Sequence, residues 1–169
     1  MIFWFFVFLL LSAGILTAYA AWKGAPYVPT PMLAVEAALD LAQVKKDEIV
    51  MDLGAGDGRV VASAAKRGAE AIGYELSPFM WVIAKLNLLL HGLNGKVLLA
   101  DGFNADFSKA DVIFLFLMPR SIKNLSEKLS AKTRPGTRIV TYVFGLSDWE
   151  LEKETKPKDC AKVQLYIKK

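Results

Sequence analysis

The chain has 169 residues, of which 54% are apolar, with 21 Lys and Arg against 17 Asp and Glu, a net charge of +4. A single cysteine, Cys160, and a single histidine, His91, exclude an internal disulfide framework and a histidine-built zinc centre. The basic residues Lys66, Arg67, Arg134, Arg138, Lys168 and Lys169 are scattered rather than clustered, which argues against a nucleic-acid partner.

The apolar excess sits at the front. Across residues 1–22 only Ser12, Gly14 and Thr17 fall outside the apolar set, and the first charge is Lys23. A helix of this length rises about 33 Å, enough to cross a hydrocarbon core of about 30 Å. Ala18-Tyr19-Ala20 fits the small-x-small pattern of a cleaved signal peptide. The absence of a charged leader and the unbroken run from Met1 favour a retained transmembrane anchor. Trp4, Tyr19 and Trp22 suit interfacial positions, and Lys23, Lys45 and Lys46 beyond the span place the following domain on the cytoplasmic side.

Residues 23–31 form a connector containing Pro26-Tyr27-Val28-Pro29-Thr30-Pro31, in which the prolines impose extended backbone. Thr30 followed by Pro31 reads as a cap and first residue of a helix over 32–44. The remainder alternates. Strands are predicted at 49–53, 71–75, 96–100, 112–117 and 137–144, and helices at 59–66, 78–91 and 121–132. That order implies an α/β fold with a mostly parallel sheet, closed by an antiparallel C-terminal hairpin from Trp149–Thr155 and Val163–Lys168. The helix over 79–90 is apolar on nearly every face, so a second face needs cover from neighbouring helices, a membrane, a partner or another copy. Trp81 and Leu88 are its expected contact residues.

Val50-Met51-Asp52-Leu53-Gly54-Ala55-Gly56-Asp57-Gly58-Arg59 runs from a strand through a glycine turn into a helix. Such a turn lets backbone approach a ligand closely. Arg59 occupies the third position of the dinucleotide G-x-G-x-x-G pattern, which disfavours NAD, and no Gly-Lys-Ser or Gly-Lys-Thr makes a P-loop. Glu75 ends the second strand, where a carboxylate can accept both hydroxyls of a ribose, and Asp101 follows the third strand at the same edge.

This combination resembles the Rossmann-like class I methyltransferases that use S-adenosylmethionine, over about residues 32–169. The resemblance implies that Asp52, Gly54, Ala55 and Gly56 meet the methionine portion of that cofactor. Glu75 meets its ribose and Asp101 its adenine side, with Asp57, Leu76 and Gly102 completing the binding set. The anchor, the proline connector, the glycine loop and Phe116-Leu117-Met118-Pro119 after the fourth strand together resemble the small membrane-anchored lysine methyltransferases. Mitochondrial members of that group modify the ATP synthase c-subunit and the adenine nucleotide translocase. The implied activity is methyl transfer to a lysine of a membrane-associated protein, in the inner mitochondrial membrane if the source is eukaryotic. Phe116, Leu117, Met118 and Pro119 would lie beside the acceptor, and Tyr27 and Thr30 would close over the cofactor, Tyr27 as an aromatic wall or a hydroxyl partner to the amine. The resemblance implies no metal. A lipid or quinone head group is the alternative acceptor, and a non-catalytic binding module is the alternative of another class. Only Gly145 to Asp148 connects the fifth strand to the hairpin, where the usual pattern has a helix.

Overall fold

The computed structural model describes residues 2–23 and 27–169, the side chains at positions 9, 10, 13, 16, 17 and 20–23 excepted. Residues 24–26 of the expected connector, Pro26 among them, lie outside the described residues, as do the side chains of Trp22 and Lys23. The helices are α1 (Ile2–Lys23), α2 (Met32–Leu41), α3 (Arg59–Lys66), α4 (Pro78–Leu90) and α5 (Pro119–Lys132). The strands are β1 (Ile49–Leu53), β2 (Glu70–Glu75), β3 (Lys96–Leu99), β4 (Val112–Leu115), β5 (Arg138–Tyr142), β6 (Leu151–Thr155) and β7 (Val163–Ile167).

The seven strands form one sheet in the order β3-β2-β1-β4-β5-β7-β6. β3, β2, β1, β4 and β5 run parallel, while β7 is antiparallel to β5 and to β6. The predicted hairpin therefore closes one edge of the sheet. The chain's direction of travel across the sheet reverses between β1 and β4, and a ligand crevice opens at the carboxyl ends of strands at such a point.

Alternate residues of the central strands feed two cores. Val50, Val112, Phe114 and Val140 join α2, α3 and α4 on one face, while Met51, Leu53, Ile113, Leu115 and Ile139 join α5 on the other. Burial on both faces explains why these strands read as continuous apolar runs rather than as alternating ones.

The start of α2 differs from the expectation. Its cap is Pro31, whose carbonyl accepts from Ala34 and Val35, and no side chain caps it. Thr30 is instead buried, with its carbonyl held by Arg59. At α4 the expected cap forms, with Ser77 Oγ accepting from the Met80 amide at 3.3 Å and Pro78 in the first turn. Pro119 takes the same first-turn place in α5, which begins two residues earlier than predicted.

α4 buries Met80, Ala84 and Leu88 and exposes Phe79, Val82, Leu86, Leu89 and Leu90. An exposed apolar face is thus present but does not use the expected residues. Leu88 is core, and Trp81 is turned inward with its indole N–H donating to the Val97 carbonyl at 2.9 Å. α1 packs against α4, and its described side chains include exposed Ile2, Phe3, Trp4, Phe5, Phe6, Phe8, Leu11 and Ile15. The residues expected to form a bilayer span are helical, but among the described residues no helix is long and apolar enough to cross a membrane.

Gly73, midway along β2, shows how tightly the sheet packs on the glycine loop. A Cβ there would lie 2.7 Å from Ala55 Cβ and 2.8 Å from Val61 Cγ2. Gly73→Ala is expected to cost about 1–3 kcal/mol by overpacking, read as a lower unfolding temperature in a thermal melt monitored by circular dichroism.

Candidate functional site

The crevice at the carboxyl ends of β1, β2 and β4 is lined by the glycine loop, Asp52, Glu75, Leu76, Asp101, Gly102, Phe116, Leu117, Met118, Tyr27 and Thr30. Ala55 and Asp57 also line it, and so do Arg59, Phe103 and Phe144, which sequence patterns alone do not single out. Pro119 does not line the crevice; it is the first residue of α5.

Two glycines fix the shape of the loop. Gly56 has φ +54°, and a Cβ on it would lie 3.0 Å from the Tyr27 ring. Gly58 caps α3 at φ +80°, 3.0 Å from Ala84 by the same measure. Side chains at either position would meet both left-handed strain and a close neighbour. The loop is therefore thin enough for a ligand to approach its backbone, with the Tyr27 ring resting on it at Gly56.

Three carboxylates crowd this edge. Glu75 accepts from the Gly56 amide through Oε2 at 2.8 Å and from the Ser77 amide through Oε1 at 2.7 Å. It therefore braces the loop, and each oxygen keeps a further lone pair for a hydroxyl donor. Asp57 chelates Arg59, at 2.9 and 3.1 Å from Nε and 2.5 Å from the terminal nitrogen. Burial pushes the Asp57 carboxyl up, but the hydrogen bonds and charge of Arg59 outweigh it and hold the group below its ordinary value. Asp52 is 3% exposed. Burial, then the charges of Glu75 and Asp57, push its carboxyl up to about 8.

Arg59 also ties the connector to the site. Its other terminal nitrogen donates to the Thr30 carbonyl at 2.8 Å, across 29 positions of sequence. The Tyr27 hydroxyl bonds with the same Asp57–Arg59 pair, and burial followed by the Asp57 charge raises its pKa, so it keeps its proton at neutral pH. Its ring forms the wall over Gly56, while its hydroxyl is directed to the ion pair. The α4 side adds Asn87, which donates to the Asp57 carbonyl at 3.0 Å.

Asp101 starts the turn after β3, accepting from the Phe103 amide at 3.0 Å and from the Asn104 side chain at 3.3 Å. On the β4 side the crevice changes character. Phe114, Phe116, Leu117, Met118 and Phe144 line it without an ionisable group among them. Phe116 stacks edge-on against Tyr142, with centroids 4.9 Å apart. The residues fit S-adenosylmethionine, with acceptors on the glycine side for an ammonium and ribose hydroxyls, and a loop whose glycines leave room for both.

A protonated, buried Asp52 has measurable consequences. The unfolded chain loses this proton near pH 3.8 and the folded protein near pH 8, so stability falls as pH rises through that window. Asp52→Asn is expected to flatten that fall in denaturant titrations between pH 5 and 8. A cationic ligand favours the carboxylate, so S-adenosylmethionine binding below pH 8 should release a proton, seen by calorimetry in buffers of different ionisation enthalpy. In Asp52→Asn the release should vanish and affinity should drop roughly tenfold or more, as for a lost hydrogen bond to a charged group.

Residues 52–153 match the ANTKMT methyltransferase domain family. The protein-lysine N-methyltransferase of Saccharolobus islandicus is 36% identical over 79% of this chain and 86% of its own length. The mouse adenine nucleotide translocase lysine N-methyltransferase is 33% identical over 74% of the chain, and the rat lysine N-methyltransferase of the ATP synthase c-subunit is 30% identical over 77%. The chain spans 56% and 61% of those two enzymes, respectively. Among solved structures, a Salinibacter ruber protein described as an RNA methyltransferase, bound to S-adenosyl-L-homocysteine, superposes with a TM-score of 0.79. It is 32% identical and is matched over 83% of this chain and 93% of its own. Glycine loop, edge carboxylates and strand order thus agree with these similarities, and the chain belongs to the ANTKMT methyltransferase domain family as an S-adenosylmethionine-dependent methyltransferase.

Proposed function

We propose that this enzyme methylates lysine side chains of proteins. The observation that carries the reading is the two-sided crevice, with carboxylates and glycine backbone at one side and only apolar and aromatic side chains at the other. When bound, S-adenosylmethionine supplies a methyl group on a cationic sulfur, which the acceptor nitrogen takes as the carbon–sulfur bond breaks and the sulfur keeps the electron pair. The glycine loop, Glu75 and Asp52 hold one reactant, and the β4 side holds the other in line with it; such alignment supplies much of the rate. Phe116, Met118 and Phe144 exclude water around the entering amine. A lysine ammonium, ordinarily titrating near 10.4, loses its proton more readily in such surroundings, and the free amine is the nucleophile. The Saccharolobus lysine methyltransferase supports the same acceptor, since it is 36% identical over 79% of this chain.

An RNA acceptor is a second reading, favoured by the description of the Salinibacter relative. The scattered basic residues and the uncharged β4 side favour protein. Labelled S-adenosylmethionine incubated with the enzyme and a cell extract from a strain lacking it is expected to label protein, with methyl-lysine released on hydrolysis. Label in RNA or in extractable lipid would replace the lysine reading. Glu75→Gln, which keeps one acceptor oxygen for the loop, should weaken cofactor binding roughly tenfold and reduce the label accordingly.

We further infer that α1 anchors the enzyme to a bilayer, with the domain on the cytoplasmic side and its acceptors among membrane-associated proteins. The support is the sequence of residues 1–22, without a charge, and the exposed apolar stripe of α4 beside α1. For the full chain in liposomes, a fluorophore on Leu86→Cys is expected to be quenched by lipid-borne nitroxide. The same label on Lys123→Cys, on α5 across the sheet, should be quenched by aqueous iodide instead. Iodide quenching at both positions would overturn the α4 contact.

A further inference from the structure

β5 ends at Tyr142, and the next residue breaks a rule of the backbone. Val143 has φ +70°, a left-handed conformation that a β-branched side chain adopts only when its surroundings impose it. The Phe144 amide donates to the Tyr142 carbonyl at 2.9 Å, closing a γ-turn of the rarer, strained hand around Val143. Three neighbouring bonds impose it. The Val143 amide donates to the Lys162 carbonyl at 3.0 Å, the Tyr142 hydroxyl accepts from the Ala161 amide at 3.3 Å, and the Tyr166 hydroxyl accepts from the Leu146 amide at 3.1 Å.

The turn changes which face Phe144 occupies. Val140 and Tyr142 point to the face covered by α2, α3 and α4, and an unbroken strand would carry Phe144 to that same face. Instead Phe144 packs against the α5-side core and lines the crevice, while Val143 is left exposed. Phe116, backed by Tyr142, belongs to the opposite core. The crevice beyond β4 and β5 therefore has an aromatic wall from each core, with Met118 beside them and no ionisable group. The four methylenes of a lysine side chain match such a slot, because aliphatic chains pack against aromatic rings.

We propose that Phe144, swung into the crevice by the strained γ-turn at Val143, is a specificity-determining residue that grips the acceptor lysine chain together with Phe116. This rests on the lysine reading above. Val143 acts as a positioning residue, through the turn alone.

The test uses the full chain, the protein fraction of the extract as acceptor, and S-adenosylmethionine affinity measured separately. Phe144→Ala is expected to raise the apparent KM for protein roughly tenfold through lost apolar packing while cofactor affinity changes less than twofold. Phe144→Tyr should restore the KM. Val143→Gly, which accepts φ +70° freely, should behave as wild type, whereas Val143→Pro, fixed near −65°, should resemble Phe144→Ala. An unchanged KM in Phe144→Ala, or a loss of cofactor affinity equal to the loss in KM, overturns the proposal. Should Val143→Pro fail to bind cofactor, the Phe144 pair decides alone. If the wild-type enzyme labels no protein, the lysine reading falls first and this assignment with it; label in the wild type with an indifferent Phe144→Ala removes only the latter.

Discussion

Three carboxylates meet at the ends of β1 and β2, and the site is organised by how each negative charge is accommodated. Asp52 keeps a proton, Glu75 takes two backbone N–H groups, and Asp57 takes a guanidinium. Like charges this close cannot all ionise without compensation, so the three solutions are linked. Replacing any one partner shifts the burden onto the other two. A cationic ligand relieves the crowding, which is one physical reason for a sulfonium-bearing cofactor to bind at this edge.

The compensation of Asp57 has the widest structural reach. Arg59 lies at the first position of α3, yet it satisfies the Thr30 carbonyl and the Tyr27 hydroxyl while chelating Asp57. A segment that precedes the domain is thereby made part of the cofactor wall. Through Asn87, the Asp57 main-chain carbonyl is tied to α4. Helix and connector are in this way joined at the single residue Asp57.

Much of this was legible in the sequence. The strand and helix order followed from apolar runs punctuated by glycine and proline, and the glycine spacing at 54, 56 and 58 separated this loop from dinucleotide and P-loop patterns. Glu75 and Asp101 stand out because a strand end fixes where a side chain must go, and Asp52 through the resemblance to class I methyltransferases. Arg59 stands out in the sequence only because it spoils the dinucleotide motif, since its partners are 2 and 29 residues away and no local pattern joins them. Phe144 was hidden for a stronger reason: valine disfavours the turn that redirects it, and only tertiary hydrogen bonds from the hairpin overcome that preference. Thr30 looked like a helix cap because local propensity ignores a distant arginine. For α4, composition revealed an unpartnered face but not its rotation, which Trp81 settles by bonding inward.

The connector's attachment also sets a length. Four residue steps separate Lys23 at the end of α1 from Tyr27 on the glycine loop, and a chain of four residues spans at most about 14 Å. Because Arg59 holds the connector down, that short tether cannot be lengthened by peeling it off the domain without undoing the cofactor wall. Whatever α1 binds, the active crevice is leashed to it. With α1 in the bilayer proposed above, target choice would become partly a matter of ruler rather than of recognition: an acceptor nitrogen would have to lie at the right height above that surface, and residues outside that zone would be spared regardless of their neighbours.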